Sequence, residues 1–510
     1  MSGVQIGRRS LLAGAGMLAL AACAPARSGE NATPETVTTG YGPVRGVRRD
    51  TGTAFLGIPY AQPPVGELRF AAPVPPAPWR DVRDCTAYGP TAQRKQLGAV
   101  TAIPEPSIPG DGVLNLNVFT PDPSRAAKLP VLVWIHGGGF VAGSAASPWY
   151  DGAAFNRDGV VVVSLGYRLG IEGFLSVEGA PDNRAVLDWI AGLRWVRDNI
   201  AEFGGDPDRV TIAGQSAGGG AVWALMATPS AKGLFRAGIS ASGALSQPND
   251  RAAGAEVARL FTEKTGVPAT VAALRDLDGN QLQALQDKLG EPGASGPMLA
   301  LAPFADGSLI PESSADALKS GAAMDIPLLL GFTRDEFNAV SEDQPVTDAT
   351  LPAAFAALGL NPADADAFRA AYPGDTAAQL VGQATSDTLL RAPSYRVAES
   401  RAARGLPTWL YEFTWTSTAP TYDGTSFHCL DIPFAFDLLR TQGVTAVAGD
   451  NPPQPLADAL HKSWVSFITA TDPGPTWPRY TLDKRDTMIW SETPHVRSDP
   501  FAAQRDLWLR

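Results

Sequence analysis

The chain has 510 residues, 45% hydrophobic and 18% charged, with 52 Gly and 44 Pro; this is a globular composition with long ordered loops and no low-complexity tract. Lys+Arg number 41 and Asp+Glu 52, leaving a net charge of −11 and no basic stripe, which argues against a nucleic-acid partner. The acidity fits a soluble enzyme with a solvated surface and names no substrate.

At the N-terminus, Arg8 and Arg9 precede an apolar run from Leu11 to Ala22. A helix of that length reaches only about 18 Å, short of a bilayer core of roughly 30 Å. Residues 1–22 therefore read as a cleaved export signal rather than a membrane span. Arg8-Arg9-Ser10-Leu11-Leu12 resembles the twin-arginine type, and Leu20-Ala21-Ala22-Cys23 resembles a lipobox. The expectation is a lipid on Cys23, with the protein exported to the periplasm or cell surface and held to the membrane only by that anchor. Removing residues 1–22 takes away two arginines and no acids, so the mature charge is 39 − 52 = −13. Residues 23–36 read as a flexible tether. From 37 to 510 no linker, charge block or repeat marks a boundary, so a single domain is expected. Cys85 and Cys429 are the remaining side-chain thiols; two cysteines make no disulfide framework, and neither has metal-ligand spacing.

Further along, near-continuous apolar runs predict strands at Leu129–His136, Gly159–Tyr167, Asp208–Gly214, Ile326–Thr333, Thr408–Trp415 and Thr487–Glu492. Asn183–Gly204 has apolar positions near the 3.6 period and reads as a helix. The alternation predicts an α/β fold with a mostly parallel sheet, flanking helices and large insertions.

Gly214-Gln215-Ser216-Ala217-Gly218 fits G-x-S-x-G between a strand and a helix start. Such a turn lifts the serine hydroxyl above the sheet and points a helix N-terminus at any charge forming there. A serine needs a base, and the base an orienting acid. The chain has four histidines: His136, His428, His461 and His495. The chain order Ser, then acid, then His on an elbow scaffold excludes His136. His461 lies in an amphipathic helix pattern and His495 near the end of the chain. His428, in a loop after the Thr408–Trp415 strand, is the expected base. Asp335 and Glu336 both follow a buried strand, and spacing alone does not choose between them. Gly137, Gly138 and Gly139 follow another strand and allow backbone N–H groups to converge on an oxyanion.

With these motifs in view, the chain resembles the type-B carboxylesterase family of α/β-hydrolases. The likeness runs from about Val37 to the C-terminus through "FLGIPYAQPPVGELRF", "LNVFTP", "WIHGGGF", "YRLGIEGFL", "NIAEFGGDPDRVTIAGQSAGG" and "KGLFRAGISASG". It implies Ser216 as nucleophile, His428 as base and Glu336 as acid. The oxyanion donors would be the N–H groups of Gly138, Gly139 and Ala217, with no metal or organic cofactor. It also implies two structural ion pairs, Arg69 with Asp111 and Arg168 with Asp188. The family usually has Glu where this chain has Gln215, and the cysteines of its first disulfide align with Ala92 and Val113. Loss of that negative charge weakens a case for cationic esters. The loop from 92 to 113 contains no aromatic residue to serve as a cation–π platform.

The implied activity is hydrolysis of a small-molecule carboxylic ester through an acyl-enzyme. The alternatives are a specialised hydrolase of a bulky ester, lactone, amide or carbamate, and a non-catalytic adhesion protein on the same fold. Specificity is expected from loops at 92–113, 244–300, 340–390 and 417–427. Phe140, Trp223 and Phe427 flank motif positions and are candidates for pocket lining, with core packing the commoner role for such residues.

Overall fold

A computed structural model of the chain describes residues 35–92, 95, 102–290, 299–321, 325–338, 346–358 and 360–509. The expected signal at 1–22 and Cys23 lie outside the described residues. One sheet runs through the molecule, built from β1 (Glu35–Thr39), β2 (Gly42–Arg49), β3 (Gly52–Pro59), β4 (Arg83–Asp84), β5 (Asn115–Thr120), β6 (Leu129–Ile135), β7 (Val161–Leu165), β8 (Gly205–Gln215), β9 (Ala237–Ala241), β10 (Leu328–Thr333), β11 (Thr408–Phe413), β12 (Asp486–Trp490) and β13 (His495–Ser498). Thus β1 takes in Glu35 and Thr36, the last residues of the expected tether.

The strand order is β1-β2-β3-β5-β7-β6-β8-β9-β10-β11-β12-β13, with β4 beside β2. From β7 to β12 all neighbours are parallel, while β1–β2–β3–β5–β7 and β12–β13 are antiparallel. This is the α/β-hydrolase arrangement. The parallel strands are mostly buried and largely apolar because both faces are covered. Along β6, Val131, Val133 and Ile135 join a core with Trp189, Leu193 and Val222, whereas Leu132 and Trp134 join a second core with Leu460, Trp464 and Phe467. The first core draws on helices Arg184–Asn199 and Ala217–Met226, and the second on helix Gln454–Ala470. Each fully buried aliphatic side chain contributes about 1.5–3 kcal/mol, which is why the period-2 split of these strands fixes their register.

Arg168 and Asp188 form the expected buried pair, with Nε and Nη2 donating to the two carboxylate oxygens at 2.9 and 2.8 Å. The Arg168 Nη1 also donates to the carbonyls of Arg69 and Ala71, tying that loop to the helix. The other expected pair is not formed. Arg69 faces Glu172 across 4.0 Å and donates to the Leu277 carbonyl, and no ion pair joins it to Asp111 among the described residues. The Arg69 head is turned to Glu172 and the Leu277 carbonyl, and Asp111 stands exposed on its loop.

Parallel strands put all their C-terminal ends on one edge of the sheet, where ligands bind in open α/β folds. β6 lies between β7 and β8, with Ile135 registered against Gly214. The loop after β6 is thereby set beside the turn after β8, and the turns after β10 and β11 open on the same edge.

Candidate active site

β8 ends at Gln215, and helix Ala217–Met226 starts one residue past Ser216. Ser216 itself takes φ 59° and ψ −123°, outside both strand and helix regions. This strain is stable only because the neighbours pack without side chains: a Cβ on Gly218 would come within 2.0 Å of the Ile135 carbonyl oxygen. Across from it, Gly138 has φ 107°. Its carbonyl accepts from the N–H groups of Val141 and Ala142, which curls the glycine loop. The N–H of Ala217 occupies the first helical position and has no partner within the helix. Gly138, Gly139 and Ala217 line one cleft with Ser216 and His428.

Two short loops bring the acid and the base together. Oε1 of Glu336 accepts from the Thr333 N–H at 2.8 Å, while its Oε2 lies 2.5 Å from His428 Nδ1. The backbone repeats the link, with the His428 N–H donating to the Glu336 carbonyl at 2.8 Å. Glu336 is 2% exposed and His428 6%. Burial works against a charge on the imidazole, yet Cys429 and Glu336 outweigh it and hold His428 above its ordinary range. Burial likewise pushes the Cys429 thiol up. Asp335 serves a different purpose: its carboxylate accepts from the Ser426 N–H at 2.7 Å and pairs with Arg334 at 2.6 Å.

The other histidines are accounted for elsewhere. His136 hydrogen-bonds the Gly137 carbonyl and stacks on Tyr167, and burial lowers its pKa to about 4. His461 is buried between the Ala435 carbonyl and Asp158, and His495 is exposed in β13.

The cleft has a volume of about 840 Å³ and mostly apolar walls. Three of the four segments expected to set specificity reach it: Ile103 and Glu105 from the first, Leu289 and Leu299 from the second, Leu389 and Leu390 from the third. Residues 417–427 contribute no lining. Phe140 packs on Phe174 and Trp189, Trp223 Nε1 donates to Ser314 Oγ at 2.8 Å, and Phe427 stacks on Tyr422; all three are core residues. Two features escaped the sequence reading. Glu105, 4% exposed, brings a carboxyl to the cleft, and burial pushes its pKa up to about 7. The other is a contact of the Gln215 side chain: its Nε2 lies 3.0 Å from His428 Nε2. No hydrogen bond joins Ser216 Oγ to His428 among the described residues. No group of three His, Cys, Asp or Glu side chains gathers as a metal site among them, and no helix of theirs is long and apolar enough to cross a membrane.

A serine elbow facing an acid–imidazole pair over a parallel sheet defines an α/β-hydrolase with hydrolytic chemistry. The chain belongs to the carboxylesterase family, whose model matches residues 33–508. It is 37% identical over 492 residues to the para-nitrobenzyl esterase of Bacillus subtilis (strain 168), covering 93% of this chain and 98% of that protein. The phenmedipham hydrolase of Pseudarthrobacter oxydans is 33% identical, over 88% of this chain and 94% of its own length. Among solved structures, a PNB esterase superposes with a TM-score of 0.82 at 34% identity, over 93% of this chain and 99% of the other. A carboxylesterase of Geobacillus stearothermophilus gives 0.79 at 33% identity, over 93% and 99%. The chain is accordingly a carboxylic ester hydrolase.

Proposed function

We propose that the chain cleaves carboxylic esters by two acyl transfers through Ser216. His428 takes the Ser216 proton, Oγ attacks the ester carbonyl, and the N–H groups of Gly138, Gly139 and Ala217 hold the oxyanion. The alcohol leaves with the proton from His428, and water releases the acid by the same route. Glu336 keeps the proton on Nδ1 and balances the charge that forms on the ring. The observation that carries this reading is the 2.5 Å contact between Glu336 Oε2 and His428 Nδ1, in a cleft that also opens on Ser216. Hydrolysis of a p-nitrophenyl ester should fall by roughly a thousandfold or more in Ser216→Ala, and a fluorophosphonate should label only the unsubstituted protein. Equal turnover by the two would remove the assignment.

The size of the cleft and its apolar walls support uncharged esters with room for sizeable groups on both sides of the carbonyl. This favours the bulky-ester alternative over short acyl substrates, and a panel varied separately in acyl and alcohol size measures it. We propose further that the protein is exported and lipid-anchored, on the strength of Arg8, Arg9 and Cys23. In a bacterial host, a fatty-acid label should enter the chain and be lost in Cys23→Ser; label that persists in the variant refutes the anchor.

A further inference from the structure

Gln215 is 1% exposed, and its side chain turns toward the imidazole rather than away from it. The amide nitrogen lies 3.0 Å from His428 Nε2 and 3.3 Å from Cys429 Sγ. On the far side of the ring, Nδ1 meets the Glu336 carboxylate, which can only accept. In the neutral ring the proton therefore sits on Nδ1, and Nε2 presents a lone pair. An amide nitrogen can only donate, so the two fit. The flipped amide would set its carbonyl oxygen against that lone pair. This lone pair is the one that must receive the Ser216 proton.

We propose that Gln215 is a positioning residue for the base: its amide donates to the Nε2 lone pair of the neutral His428 ring and so opposes the pull of Glu336 and Cys429 until Ser216 claims the same atom. The proposal rests on the Ser216–His428 reading above. Its physical basis is that an imidazolium carries a proton on Nε2 and cannot accept there. A donor at that atom stabilises the neutral ring alone and lowers its pKa. The other groups around the ring act the opposite way or carry no charge. Glu336, from the loop after β10, stabilises the imidazolium. Asp431, hydrogen-bonded to Tyr411 of β11, adds to this once ionised. Cys429 also favours the protonated ring, Phe337 contributes an uncharged ring with its centroid 4.7 Å away, and no cation is among the groups acting on the imidazole. Gln215 is thus the counterweight that leaves the base able to accept. The Glu usual in the family at this position would instead hold the proton on the ring. Attack then requires the amide to yield Nε2, and Cys429 Sγ gives its N–H a second acceptor.

The test is a titration of His428 in the full chain, using histidine labelled with carbon-13 at Cε1. Only four histidines contribute signals, and His428→Gln identifies the one of interest. Gln215→Met, similar in size and without a donor, should raise the His428 midpoint by about half a unit to one unit. Gln215→Glu should raise it further. The His136, His461 and His495 signals should stay in place, which also reports that each variant is folded. An unmoved or lowered midpoint in either folded variant overturns the proposal. Because the titration needs no turnover, its failure is distinguishable from that of the serine mechanism, which Ser216→Ala tests. Where the enzyme is active, the acid limb of kcat/KM should move with the midpoint, a displacement that a merely structural role for Gln215 would not produce.

Discussion

Asp335 and Glu336 are adjacent carboxylates with different work, and the backbone separates them. Glu336 adopts φ 36°, which directs its side chain inward to His428, while Asp335 reaches across to the Ser426 N–H. The Asp335 N–H in turn donates to the Ser426 carbonyl at 3.0 Å. Ser426 is fully buried, so removing the acceptor leaves an amide without water or a partner. Asp335→Ala should cost about 1–3 kcal/mol in denaturant unfolding and lower kcat, because the loop carrying His428 loses its register. Asp335→Asn keeps an acceptor oxygen and should retain most of both, since the half-exposed pair with Arg334 is worth little. If Asn proved as damaging as Ala, the charge rather than the loop staple would be what matters.

The elements that carry the site were the most legible part of the chain. β6, β10 and β11 match their apolar runs to within two residues at each end, because a strand buried on both faces carries few polar side chains. Ser216 and the glycine loop were legible for a steric reason: few sequences tolerate such close backbone approach. His428 was found by elimination among four histidines. The choice of Glu336 over Asp335 was not in the spacing; it depends on a φ value and a partner 92 residues further on. The insertions were the least legible. Segments read as loops at 244–300 and 340–390 hold helices Arg251–Thr265, Gly279–Leu289 and Ala377–Ser386. Their signals were nonetheless present, as capping boxes from Asp278 with Gln281 and from Thr376 with Gln379. The N-terminal antiparallel strands were missed because half-exposed strands near the sheet edge, such as β2, mix Arg with Val and Gly. The Gln215 contact was beyond any pattern, since it joins residues 213 apart through one side-chain rotamer.

Gathering so many ionisable groups at one sheet edge has a consequence for the stability of the whole fold. Asp431 is 1% exposed behind the base, with Tyr411 OH donating to it at 2.7 Å. Burial, only partly offset by that hydrogen bond, pushes its pKa from the ordinary 3.8 to about 6. A folded-state pKa above the unfolded one means that the native protein binds more protons between those values. Stability therefore falls as pH rises through the window from about 4 to 6 and stays lower above it. Asp431→Asn keeps an oxygen for the Tyr411 hydroxyl and cannot ionise, so it lacks this loss. Urea unfolding across the range should show Asp431→Asn gaining on the unsubstituted chain through that window, by about 2–3 kcal/mol at most. The gain should be complete by pH 7 and absent below pH 4. A difference between the two proteins that is constant with pH would mean that Asp431 titrates normally in the fold. In that case its neighbours, and not its burial, set the electrostatics behind His428.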